Sequence, residues 1–519
     1  MADQSPLAAP QRTPFPKGKY LGYAVAYGLG FLLMLLWQPN DLITREGIML
    51  IGIFLPTLYM WVRGELLFSS MFAMAFLGMT GIIKSVDATG EVTRVFTHNN
   101  LWMEALGHFA VILLLTFMMI DHTLNETGVI KKIATWFITR KFIEGKPYAI
   151  MAMFIGGQIF VGLFMQNLAL TALYLALTVK FCEAIGIKKG HSLWKCLFIA
   201  GLWGSNAVMI SSPIAKFFPN FIIGLIRAIR PDDPIVISFA QYFALGIPFS
   251  ILTFVAIMIT IRIMKPDVTP LMKYSVAEFK KQDPPLGIRG KMVMAIFGTL
   301  LIVILAPDLI VAAAGGAAAP TVGFIGFMRT VSGWGPTLPA ILTVFVLCLV
   351  RGEGRPLMDP QAALKSVPLP LLVFLGVAVF MGTPLGPGFA SNLAPILGHL
   401  IRPLSTTLGP YMLVIVILVF ASIITNFFSN AVIVNVGFAL GIATFAVGDT
   451  IGPAAFLLMI GFASSAPSAT PAAILQAAMY YGSGNVEPGD VIKHNVVYQV
   501  FAIIVALLMI PIVTTFIAF

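Results

Sequence analysis

Apolar runs with the length of bilayer crossings dominate this chain, and short charged stretches separate them. Residues 20–37, 47–62, 66–83 and 105–120 predict four spans. Residues 238–263, 292–312, 321–350, 366–384 and 496–519 predict five more. Two kinds of segment break the rhythm. Residues 148–179 are mostly apolar and would make roughly 48 Å of helix, too long for one crossing of about 30 Å and too short for two. Their centre carries Gln166 and Asn167, and both flanks are basic. The reading is a re-entrant hairpin that turns at Gln166-Asn167, since one long tilted span would set a basic flank on each side against the charge-bias rule. Residues 193–226 are apolar but interrupted by Gly204, Ser205, Asn206, Ser211, Ser212 and Pro213. Unwound backbone at membrane depth survives only where protein or a wet cavity satisfies it, so this is a candidate broken helix lining a site.

The same order then repeats. Residues 386–410, rich in Pro and Gly, read as an interfacial arm. Residues 411–447 are a second overlong segment with Asn426, Ser429 and Asn430 at its centre. Residues 453–481 are a second broken helix, interrupted by Ser464, Ser465, Pro467, Ser468, Thr470 and Pro471. The chain therefore divides into a polar cytoplasmic N-terminus (1–19), an extra first span and loop (20–46), a first repeat (47–263), a cytoplasmic linker (264–291) and a second repeat (292–519). Charge gives the repeats opposite senses. Basic flanks surround the first hairpin, whereas no Lys or Arg occurs between residues 403 and 492, around the second. The expected fold is an all-α polytopic membrane protein with an inverted repeat. It has about 11 transmembrane helices, two re-entrant hairpins and two broken helices. The N-terminus would lie in the cytoplasm and the C-terminus outside the cell (inner) membrane.

Composition supports this and excludes much else. The 519 residues are 58% hydrophobic and 10% charged, with a mean hydropathy of +0.93, whereas soluble domains carry about 25% charged residues. The net charge of +10 sits in short loops and is not a nucleic-acid footprint. Cys182, Cys196 and Cys348 show neither metal nor disulfide spacing. No hairpin or break contains a histidine, and no nucleophile–base grouping or phosphate loop appears, so the chain reads as a non-enzyme without an organic cofactor.

Discontinuous helices at matching places in two halves are the best sequence pointer to a transporter's binding site. Helix halves ending there aim N–H groups at an anion. Asn167 and Asn430 occupy equivalent tips, and an amide can donate to a carboxylate or offer its oxygen to a cation. The competing role, polar glue between packed helices, has no reason to respect a repeat. Ser211, Ser212, Thr470 and Pro471 join the two Asn residues as candidate substrate ligands. Asn167, Ser205, Thr425 and Asn430 are candidate Na⁺ ligands. Lys216 lies one turn beyond the first break, and neither hairpins nor broken helices contain an acid to pair with it. It either serves the site or snorkels to the outer interface.

Particular motifs resemble those of the divalent anion:sodium symporter family. They are Ser429-Asn430-Ala431 at a hairpin tip, Ala469-Thr470-Pro471-Ala472 in a break, Tyr481-Gly482-Ser483-Gly484 after it, and the run from Thr127 to Ala134 ahead of the first hairpin. The stretch from Gly204 to Pro213 sits where that family has a Gly-Gly-Thr-rich break. The resemblance implies a homodimer with scaffold and transport domains that works by an elevator movement on dicarboxylates, citrate or sulfate, usually with Na⁺. The family's tip residues carry over to Gln166-Asn167-Leu168 and Ser429-Asn430-Ala431. Gln166 replaces a Ser, and Leu168 and Ala431 replace both Thr residues that help hold substrate. Gln166 and Lys216 leave an anion exchanger as open as Na⁺ symport. The resulting expectation is a secondary active transporter of small organic anions, foremost dicarboxylates. A carrier of sulfate or another inorganic anion, a Na⁺-independent antiporter and a passive channel are the rivals.

Overall fold

The computed structural model describes residues 17–517 apart from 64, 88, 231–234, 282–284, 387, 446–450 and 472. Most of the polar N-terminus (1–16) and the end of the second hairpin segment (446–447) therefore lie outside the described residues. The chain is mostly helical. The first part runs α1 (Lys17–Leu36), α2 (Arg45–Val62), α3 (Leu66–Thr80), α4 (His98–Leu106), α5 (Phe109–Glu126) and α6 (Val129–Ile138). A short antiparallel pair, β1 (Lys84–Val86) with β2 (Val92–Val95), fills the loop between α3 and α4. Then come α7 (Pro147–Gly162), α8 (Asn167–Ala184), α9 (Ser192–Ala207), α10 (Phe217–Ala228) and α11 (Phe239–Met264).

After α12 (Val276–Lys281) comes the second part. It runs α13 (Ile288–Ala313), α14 (Gly323–Gly333), α15 (Thr337–Leu349), α16 (Pro360–Lys365), α17 (Leu369–Gly382), α18 (Ala394–Ile424), α19 (Asn430–Thr444), α20 (Pro453–Ala463), α21 (Leu475–Gly482) and α22 (Pro488–Phe516). The two sets interlock: α5 packs on α15 and α16, while α17 packs on α3 and α4. At the centre α11 packs against α22, α9 and α22 pack on α11 and α20 respectively, and α10 meets α20.

Among the described residues six helices are long and apolar enough to cross a membrane alone: α5, α8, α11, α13, α18 and α22. Two bent pairs would raise that to eight. Several other apolar helices are shorter, among them α7, α10, α19 and α20, as limbs of hairpins and broken helices must be. One expected straight span is bent, and another begins at a bend. Residues 321–350 form α14 and α15 at 81°, because Gly335 takes φ 64° and Pro336 brings no N–H to continue the ladder. Residues 366–384 belong to α17, which makes a 63° bend with α16. The interfacial arm is helical from Ala394 and runs into the second hairpin through a kink at Gly409, φ 70° and ψ 167°.

Local chemistry fixes the first hairpin. Gln166 is the N-cap of α8, and its side chain accepts the Ala169 N–H at 3.0 Å. Both breaks satisfy their freed backbone with side chains, as apolar surroundings demand. In the first, the Asn220 amide donates to the carbonyls of Pro213 and Lys216 at 2.7 Å each, and the Ser212 hydroxyl accepts the Ile214 N–H at 3.1 Å. Ala215 sits at φ 55°, a left-handed position that costs a non-glycine residue free energy. In the second, Asn426 Oδ1 accepts the N–H groups of Ser468 and Ala469 at 3.1 and 3.0 Å, and the Tyr481 hydroxyl meets both their carbonyls. Asn206 ties the breaks together, donating to Pro467 O at 2.6 Å and Ser468 Oγ at 2.9 Å. The first break also presses on α11 at Gly246, where a Cβ would collide with the Ser211 carbonyl.

Candidate functional site

A cavity of about 570 Å³ lies where these irregular segments meet, within the size range of small-molecule sites. One side is built from both hairpin tips and both breaks: Gln166, Asn167 and Leu168; Lys216 and Phe217; Ser429, Asn430 and Ala431; Pro471, Ala473 and Gln476. The other side comes from α2, α3 and α17, through Trp61, Arg63, Leu66, Leu371 and Phe374. Aromatic rings line much of that boundary. Phe217 stacks on Phe374 with centroids 4.8 Å apart, and Trp61 meets Phe374 edge-on at 4.9 Å.

Four helices, α8, α10, α19 and α21, begin at this cavity. Their N-caps are Gln166, Lys216, Ser429 and Ile474, and all four line it. The last three make no side-chain capping bond, which leaves first-turn N–H groups for a ligand. Each helix start carries roughly half an elementary positive charge, so four together approach about two. The convergence suits a multivalent anion better than a neutral solute.

Each tip is braced from behind. Asn430 Nδ2 donates to Ser464 O at 2.7 Å, and Asn430 Oδ1 accepts from Thr425 Oγ1 at 2.8 Å. Thr425 Oγ1 also lies 3.0 Å from Ser464 O. At the first tip Lys216 Nζ donates to Met165 O at 2.8 Å and to Asn167 Oδ1 at 2.7 Å. Lys216 is only 2% exposed, which removes the snorkelling alternative.

A scan against family models matches the citrate transporter model (CitMHS) over residues 21–461. The chain belongs to the citrate transporter family. It is a multi-pass membrane transporter of anions, and the resemblance drawn from the tip motifs agrees with that assignment at the level of ion transporters. The comparison with curated proteins returns no match. Among solved structures it is similar to the YdaH transporter of Alcanivorax borkumensis, at 13% identity and a TM-score of 0.46, over 88% of this chain and 97% of that one.

Of the candidate residues read from sequence, Asn167, Asn430, Pro471 and Lys216 line the transporter's cavity. The other candidates stand behind its walls. Ser211 Oγ donates to Ala207 O at 2.6 Å, Ser212 holds the Ile214 N–H, and Thr470 Oγ1 donates to Asn426 O at 2.7 Å. Ser205 Oγ accepts from Gln158 at 2.8 Å, and Thr425 reaches the cavity only through Asn430. Sequence reasoning missed Asp121. This buried carboxylate on α5 faces the Gln166 backbone N–H and lies within Coulombic reach of Lys216, with its Oδ1 unpaired. It stands one residue beyond the predicted span end at residue 120, where it reads as a loop acid. Arg63, Gln476 and the aromatic wall were also missed.

Proposed function

We propose that this chain is a secondary active transporter of citrate-like di- and tricarboxylates, binding them between the two hairpin tips. The convergence of four helix N-termini on one cavity with Lys216, Asn167 and Asn430 carries this reading. The positive helix ends and the ammonium hold the charge, and the amides at opposite tips fix separate carboxylates. The aromatic wall excludes water from the remaining face. The family supports citrate-type anions over sulfate, and so does the cavity's size.

An elevator-type alternating-access movement follows from how the site is divided. Hairpins and broken helices would travel with the substrate as the transport domain, and α2, α3 and α17 would stay with the scaffold of a homodimer. The repeats would face opposite sides of the cell membrane, with the N-terminus cytoplasmic and the C-terminus external. Driving energy would come from Na⁺ symport, with Thr425 and Asn430 as ligands, or from exchange against a second anion.

Reconstitution into liposomes tests this. Labelled citrate or a C4 dicarboxylate should enter saturably under an inward Na⁺ gradient or against a preloaded counter-anion. Counter-anion uptake without Na⁺ selects exchange, and no accumulation under either condition overturns the proposal. Steady, unsaturating single-channel current would favour a channel.

A further inference from the structure

The first hairpin tip carries a cation of its own. Met165 O and Asn167 Oδ1 form a pair of oxygens at the turn, one from the backbone and one from an amide, of the kind that holds a hard monovalent cation in a discontinuous helix. Lys216 Nζ occupies that position, 2.8 and 2.7 Å from the two oxygens. We infer that the Lys216 ammonium is a tethered cation standing in for a free one at the first tip, so the transporter couples to at most one monovalent cation, at the second tip. This deepens the transporter reading and rests on it for the coupling count alone.

The donor set at the first tip does not fit Na⁺. An ion coordinated by the same two oxygens would fall on Nζ, and like charges cannot share that place. The second tip differs. Thr425 Oγ1 lies 2.8 Å from Asn430 Oδ1 and 3.0 Å from Ser464 O, and no Lys or Arg occurs between residues 403 and 492 to fill the place between them.

Asp121 completes the device. It lies within Coulombic reach of Lys216 from α5 and does not line the cavity. The pair is therefore a fixed dipole with its positive end toward the substrate. Nζ has three donors and spends two on the tip, so the third is available to an anion. The other charged side chain lining the cavity among the described residues is Arg63, at the end of α2 on the opposite wall. A built-in ammonium cannot dissociate, so substrate binding at the first tip needs no ion from solution.

Thermal unfolding of the purified full-length protein tests this, in choline, sodium or ethylammonium chloride, without and with citrate. The wild type should show a citrate-induced shift in choline, with a Na⁺ dependence no steeper than one site. Lys216→Ala should lose at least about tenfold in citrate affinity in choline, as expected for loss of a charge-assisted contact. Ethylammonium or Na⁺ should restore it by filling the vacated position. Without citrate, ethylammonium should raise the melting temperature of Lys216→Ala and not that of the wild type, and Na⁺ should raise that of Lys216→Ala by more than that of the wild type. Lys216→Met keeps the stem and removes the charge, so it should lose the citrate shift and resist rescue.

Citrate binding in choline by either variant at wild-type strength overturns the inference, as does a folded Lys216→Ala that neither cation stabilises beyond the wild type. A wild type that no carboxylate shifts would instead count against the transporter reading, and the citrate-free comparison would still decide the ammonium.

Discussion

Asp121→Leu is expected to destabilise the protein by about 3–5 kcal/mol, the cost of leaving a buried charge without its counter-charge. Asp121 and Lys216 are 6% and 2% exposed, so water screens neither charge well. Removing the carboxylate leaves the ammonium opposed only by the Met165 carbonyl and the Asn167 amide oxygen. The double variant Asp121→Leu/Lys216→Met should recover most of the loss, because two apolar side chains of similar volume replace two buried charges that were costly to desolvate. Unfolding in detergent, followed by intrinsic fluorescence for both single variants and the double, gives the coupling energy directly. Strict additivity would mean that the two charges are not coupled.

The second large effect falls on transport. Asn430→Ala should lower substrate affinity roughly 10- to 100-fold, the range for one lost hydrogen bond to a charged group. Two causes act together. The amide is no longer available to the substrate, and the tip loses its brace to Ser464 and Thr425. Asn167→Ala should match it at the first tip, with the added release of Lys216 from one of its two anchors. Uptake into liposomes at graded substrate concentrations separates these variants from a general loss of folding, since the maximal rate at saturation would survive partly while the half-saturating concentration rises. Wild-type uptake by both variants would remove the tips from the substrate site.

How far the sequence reached depends on what kind of signal each feature leaves. The hairpins and breaks were legible because Asn, Ser, Gly and Pro are expensive inside an apolar run. Gln166 was placed at the first turn, and there it caps α8. The cavity's far wall was not. Trp61 and Phe374 are as apolar as any lipid-facing residue, and only packing shows that they close a site. Asp121 escaped because hydropathy assigns a charged residue beside a span to the loop, whereas α5 continues to Glu126 and carries it inside. Thr470, Ser211 and Ser212 illustrate the opposite limit. Their residue types suggested ligands, but an unwound segment consumes such hydroxyls in holding its own backbone. The bend between α14 and α15 needed Gly335 and Pro336 to be weighed as a pair, within a run whose length alone argued for one straight span.

The central claim is that the anion sits between the two tips. Leu168→Cys puts a thiol in the cavity wall, in a Cys348→Ser background where the remaining Cys182 and Cys196 are buried. Its modification by a charged methanethiosulfonate should slow when citrate or another transported carboxylate is added, with half-protection at the concentration that half-saturates uptake. A rate unchanged by every anion the protein transports would place the substrate elsewhere.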